Sequence, residues 1–250
     1  MANWQRYEEL RPDRLAGIVN ESPVLFWPLG LLEHHGWHLP VGYDGIKASR
    51  TCIRVAERTG GVLLPTMWWG GGGGHGEFNW TVYEPEEATA QILVRTTERL
   101  IEFGFRVLVL LAGHYPWQST LAKHLPAIQE ANPGVLLLWG TEMTICGDAI
   151  KLKGDHAALE ETSFGLALFP ELIDMQAMQS GRDVTAWPGG KIPSEQHPAV
   201  CFDPDDPLFA QMGEDSRNAT AERGEEGISR VVDHLSDTIE AFLAGKNDDR

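Results

Sequence analysis

The sequence predicts a single α/β domain of three layers, with a mostly parallel sheet covered by helices on both faces. Three observations carry this. Short apolar runs alternate along the chain with longer stretches of helical character. Those runs are continuous rather than every second residue, as expected of strands buried on both faces. The 250 residues, 42% hydrophobic and 22% charged, suffice for one full-sized core, so one domain over 1–250 is the expected organisation.

The elements follow in order. Val24-Leu25-Phe26-Trp27 reads as a buried strand ended by Pro28 and Gly30. Residues 44–59 read as a helix that Asp44 opens and Gly60-Gly61 close. Residues 62–64 form a short strand before Pro65. Residues 85–103 give the clearest helix, with Pro85 and Glu86-Glu87 suited to its first turn and Gly104 to its stop. A strand over 106–111, a helix over 118–131 and a strand over 135–139 come next, then helices over 156–168 and 219–243. Residues 175–217 are rich in Pro, Gly and Asp and break the rhythm, so they are read as a long loop or lid. The tail 246–250 is expected to fray.

Composition excludes several function classes. With 20 basic and 36 acidic side chains the net charge is −16, which argues against nucleic acid and against an anionic membrane surface as partners. No run approaches the roughly 18 consecutive apolar residues of a spanning helix. The opening residues carry no apolar signal core, and Cys52, Cys146 and Cys201 form no C-x-x-C pair. The expectation is a cytoplasmic protein with reduced thiols and a small-molecule substrate. A Gly-x-Ser-x-Gly elbow, a His-Glu-x-x-His helix and a Gly-x-Gly-x-x-Gly turn are all absent, which disfavours the usual serine hydrolase, the zincin and the dinucleotide site.

Ligands of open parallel sheets bind at the carboxyl ends of the strands. Three predicted strand ends present histidine, two of them with carboxylates. After the first come Glu33, His34, His35, His38 and Asp44; after the 106–111 strand comes Gly113-His114-Tyr115; beyond the 135–139 strand lies Asp155-His156 with Glu160-Glu161. Glu33 and His35 are two apart, so an extended segment turns both to one side. Asp44 opens the following helix, and one aspartate can bridge two ions. Mixed His, Asp and Glu ligation suits zinc, manganese or iron. The alternative is a solvated His-rich loop beside an ordinary helix start. The Gly70–Gly74 run reads either as a flexible loop or as a backbone approach to a pocket, with Trp68, Trp69, His75 and Trp80 as lining.

The segment from Pro28 through Glu33-His34-His35-Gly36-Trp37-His38-Leu39-Pro40 to Asp44 resembles the creatininase (creatinine amidohydrolase) signature P-x-G-S-x-E-Q-H-G-P-H-L-P-x-x-T-D. Gly113-His114 resembles the family's N-G-H block, and His156-Ala157-Ala158 with Glu161-Thr162-Ser163 resembles its H-A-G-x-x-E-T-S block. The resemblance covers about 22–170. It implies a creatininase-like fold, a homo-oligomer (a hexamer in known members) and two divalent metal ions per chain. Glu33, His35, Asp44 and His114 map onto the ligands, with Asp44 bridging. Creatininases carry a further glutamate two residues after the second-block histidine. Pro116 stands there in this chain, and Glu161 is the candidate replacement, or else a helix-face carboxylate. Ala112 and Ala158 also depart from the blocks, and the departures point away from creatinine itself.

The implied chemistry is attack of a metal-bound hydroxide on a carbonyl of a small cyclic substrate, an amide first. His156 is the expected general acid or base, with Asp155 or Glu160 orienting it. Opening of a cyclic diketone such as a diketo-inositol by carbon–carbon hydrolysis is the alternative. A non-catalytic metal-binding scaffold is the second, suggested by Pro116 and Ala112.

Overall fold

A computed structural model describes residues 3–179, 186–187, 191–194 and 196–245. Its strands are β1 (Trp4–Arg6), β2 (Val24–Leu29), β3 (Gly61–Leu63), β4 (Val107–Ala112) and β5 (Leu136–Thr141). Its helices are α1 (Pro12–Glu21), α2 (Tyr43–Thr59), α3 (Glu86–Glu102), α4 (Trp117–Ala131), α5 (Leu159–Leu168) and α6 (Ala221–Ala244). The strands form one sheet in the order β1-β3-β2-β4-β5, with every pair parallel.

The three layers follow from the two-residue period of the strands. Val24 and Phe26 of β2, with Val107, Val109 and Leu111 of β4, face α2, α5 and α6. Leu25, Trp27 and Leu29, with Leu108, Leu110 and Ala112, face α1, α3 and α4. Both sets are buried, which is why these strands read as unbroken apolar runs. A smaller third cluster joins Phe78, Trp187, Val200, Phe202 and Phe209. Among its described residues, the 175–217 region contains only short 3-10 helices, turns and an isolated bridge from Met212 to His156, and this satellite core holds it down.

The chain runs from β2 outward to β3, then crosses back past β2 to β4. The reversal opens a crevice at the carboxyl ends of β2 and β4, where open α/β sheets bind ligands. The elements read from sequence are present within a few residues. β1 and α1 are additions: β1 is only three half-buried residues, whereas α1 sets Leu15, Ile18 and Val19 at helical spacing behind Pro12. The helix expected over 156–168 begins instead at Leu159. The Asp155 carboxylate accepts the Glu160 and Glu161 amides at 2.7 and 3.0 Å, and Ala157 has a φ of 50°, so 156–158 form a turn ahead of the helix. The tail 246–250 and parts of 175–217 lie outside the described residues.

One close approach fixes the site's geometry. Gly113, just past β4, packs so tightly on the start of α2 that a Cβ there would lie 2.0 Å from the Asp44 carbonyl oxygen. Gly113→Ala is expected to lower the denaturant midpoint by the equivalent of about 2–4 kcal/mol. An unchanged midpoint would show that β4 and α2 are not held together this closely.

Candidate metal centre

Glu33 and His35 lie in the non-helical segment after β2, Asp44 in the first turn of α2, His114 after β4, and Glu161 in the first turn of α5. All five are buried, each between 1% and 4% exposed. His114 Nδ1 is 3.1 Å from Glu33 Oε2 and 3.3 Å from Asp44 Oδ2. His35 Nε2 is 3.1 Å from Asp44 Oδ1 and 3.6 Å from Glu161 Oε2. The two Asp44 oxygens therefore face opposite clusters. Glu33, Asp44 and His114 form one set with metal-ligand spacing, His35, Asp44 and Glu161 a second, and Glu33, His35 and His156 a third.

The fold also fixes the ring tautomers. His35 Nδ1–H donates to the Glu33 carbonyl at 3.1 Å, and His114 Nε2–H to the Gly72 carbonyl at 3.1 Å. His156 Nε2–H donates to the His34 carbonyl and His75 Nε2–H to the Ala210 carbonyl, each at 2.9 Å. A neutral imidazole committed at one nitrogen presents a lone pair at the other, the usual outer support of a metal-binding histidine. Glu33 Oε2, His35 Nε2 and Asp44 Oδ2 are buried without a directed hydrogen bond. Buried polar atoms without partners are costly, and divalent cations would satisfy these three together.

His156 is where the sequence placed it, but its support differs. Its Nδ1 lies 3.9 Å from Glu33 Oε2, and its ring stacks on His75 at 3.6 Å. Neither Asp155 nor Glu160 orients it, contrary to expectation. Asp155 is occupied by the α5 amides, and Glu160 is held by the Arg223 guanidinium. The backbone of His156 exchanges two hydrogen bonds of 2.9 Å with Met212, which fastens the 196–213 segment across the site.

Sequence reasoning missed several members. Tyr83 donates to Glu33 Oε1 at 3.0 Å; His75, which the sequence did offer as lining, has its Nδ1 3.7 Å from the same oxygen. Lys47 and Glu142 form a buried pair beside Glu161. Glu142 follows β5 directly, so the strand-end rule points to it. Lys47 stands three residues after Asp44, on the same helix face. The glycine run does bring backbone to the site, since Gly73 (φ 104°) lies beside Glu33 and His114. Trp80 and Trp69, however, are 73% and 51% exposed and face solvent. His34 leaves the site to stack on Phe78, and His38 bonds Thr162 Oγ1 at 2.8 Å.

A family model described as creatinine amidohydrolase matches residues 8–239. The chain belongs to the creatininase family. It is 25% identical to a creatinine amidohydrolase of Pseudomonas putida, over 94% of this chain and 93% of that one. It is 27% identical to a 3-dehydro-scyllo-inosose hydrolase of Thermotoga maritima, over 91% and 81%. Among solved structures, a manganese creatininase superposes with a TM-score of 0.72 at 23% identity, over 96% and 99% of the two chains. A zinc–zinc form of a creatininase variant does so with 0.71 at 22% identity, over the same shares. The three-layer parallel architecture is thus the creatininase fold.

In the metal-free chain, protons would neutralise the carboxylates. Burial lowers the His35 pKa, but Asp44 with Glu161 and Glu33 outweighs it and raises the value to about 9. The same opposition, with Glu33 and Asp44 as the carboxylates, raises His114 to about 10. At pH 8 both rings are then protonated, and a cation must displace those protons. Zinc added to metal-free protein in weak buffer at pH 8 is expected to release about two protons per chain, with apparent affinity falling as pH falls. Uptake without acid release would contradict this assignment of charges.

Proposed function

We propose that this protein is a binuclear metal-dependent hydrolase of a small cyclic carbonyl compound, an amide first. The observation that carries the reading is the Asp44 carboxylate, with one oxygen toward His114 and Glu33 and the other toward His35 and Glu161. Glu33, Asp44 and His114 hold one cation, and His35, Asp44 and Glu161 the other. Zinc or manganese fits the donor set, as the metal-bearing creatininases suggest. Bound there, the ions supply Lewis acidity and a water acidic enough to ionise near neutral pH.

The remaining work falls to side chains. The Tyr83 hydroxyl holds Glu33 Oε1 and leaves Oε2 turned to the centre. The backbone carbonyls keep all four imidazoles in one tautomer, so no ring must reorient during turnover. Burial, with His35 and His75 beside it, pushes the His156 pKa well below the ordinary range, which makes the neutral ring a weak base and its protonated form a strong acid toward a leaving group. With Nε2–H committed to the His34 carbonyl, only Nδ1 is free to take a proton from water and return it to the leaving group. The 196–213 segment, tied to His156 through Met212 and to His75 through Ala210, would shape the approach to the centre.

The Thermotoga relative favours one second reading: carbon–carbon hydrolysis in a cyclic diketone, where the leaving group is a stabilised carbanion. The products separate the two. Cyclic amides should yield an amine, whereas a diketo-inositol should yield an open-chain keto acid without nitrogen. Turnover of neither class by metal-replete protein overturns the hydrolase reading.

Two variants test the residues. His156→Ala should lower kcat by about 10²–10⁴-fold with the bound metal unchanged. Unchanged turnover would remove His156 from the chemistry. Glu161→Gln should retain the ion at Glu33, Asp44 and His114 and lose the second, read as metal per chain by elemental mass spectrometry. Two ions retained would leave Glu161 a helix-face carboxylate.

A further inference from the structure

Lys47 is fully enclosed, 1% exposed, on the same face of α2 as Asp44. Its Nζ donates to Glu142 Oε1 at 2.8 Å and to Glu161 Oε1 at 2.8 Å. The ammonium also lies 4.7 Å from the ring centroid of Tyr115 and 5.3 Å from that of Tyr43. The Tyr115 hydroxyl donates to Glu142 Oε1 at 2.8 Å. The other oxygen of Glu161 accepts the Ala157 amide at 3.0 Å. Glu161 thus has a donor on each oxygen. Glu33 Oε2 and Asp44 Oδ2 have none.

We propose that Lys47 is a positioning residue that makes the two metal positions unequal, so that the Glu33, Asp44 and His114 position fills first and the His35, Asp44 and Glu161 position fills second and more weakly. This rests on the two-metal reading above. A cation at the second position meets a carboxylate whose electron density is already shared with an ammonium, and it feels that ammonium's charge through a buried, low-dielectric medium. Lys47 makes no ion pair with Glu33 and reaches the first position only through the shared Asp44, so that position feels less of this effect. The same contact fixes the carboxylate plane of Glu161, so Lys47 orients the ligand as it weakens it. Glu142 balances the arrangement by sharing the ammonium equally with Glu161, each at 2.8 Å.

The test is stepwise zinc binding to the full chain, followed by competition with a chromophoric chelator, with metal per chain counted after dialysis. The wild-type protein should show two separate steps and retain one ion on dialysis. The paired variant Lys47→Met with Glu142→Gln removes both charges together, which avoids burying either alone. It should tighten the second step by roughly tenfold and move the first little, narrowing the gap. Glu142→Gln alone leaves the ammonium on Glu161 and should weaken the second step, widening the gap. A merely structural role would lower both affinities together or neither. Two bound ions with the same spacing in all three proteins would overturn the role of Lys47 alone. A wild-type chain that takes up no zinc would overturn the two-metal reading, and this inference with it.

Discussion

The structure depends on the burial of one carboxylate. Asp44 sits at the start of α2, 1% exposed, where the helix dipole favours negative charge but no hydrogen-bond donor saturates it. A buried carboxylate is tolerated only when positive charge meets it. His35 and His114 approach it from two different loops, and the loop after β4 that carries His114 packs this closely on α2 because Gly113 has no side chain. The crevice between β2 and β4, the first turn of α2 and the ring orientations are therefore one arrangement, organised around a single charge.

Around it the protein divides its tasks by chemical type. Carboxylate oxygens and imidazole lone pairs point inward. Backbone carbonyls of Glu33, His34, Gly72 and Ala210 take the outward ring protons. The carbonyls come from the segment after β2, the glycine-rich loop and the covering segment. Those irregular stretches thus set ring chemistry, and the regular elements set position. The satellite cluster of Phe78, Trp187, Phe202 and Phe209 anchors the covering segment, which explains how a region with so little secondary structure holds His75 and His156 in place.

The charge inventory of the centre is lopsided. Glu33, Asp44, Glu142 and Glu161 are all buried, and Lys47 is the one buried lysine or arginine among the described residues. Lys47 pairs with Glu142 and Glu161 and leaves Glu33 and Asp44 to the histidines. Once a cation displaces the protons of His35 and His114, the Glu33 and Asp44 end carries negative charge that no lysine or arginine balances. That surplus, more than any single distance, makes the cluster suited to cations.

Much of this was legible in the sequence. Continuous apolar runs identified the strands of the parallel sheet because burial on both faces removes the polar alternation. The spacing of Glu33, His35 and Asp44 was readable because parallel strands bring their carboxyl ends to one edge, whereas His114 and Glu161 were singled out as ligands by the family resemblance. The short β1 was not legible, since three half-buried residues leave no signal, whereas Leu15, Ile18 and Val19 of α1 do stand at helical spacing in a segment too short to stand out. Lys47 and Glu142 escaped for other reasons. A lysine on a helix is an ordinary surface residue until the fold encloses it, and Glu142 was hidden because the apolar run over 135–139 stops two residues short of the strand's true end at Thr141. The partners of Asp155 and Glu160 also had to be seen, because backbone amides and a distant Arg223 competed for them. The sequence by itself determined the architecture and the residue types delivered to the strand ends, since both follow from local periodicity. Only the tertiary structure decided which atom faces which, because contacts between residues more than a hundred positions apart are set by packing rather than by spacing.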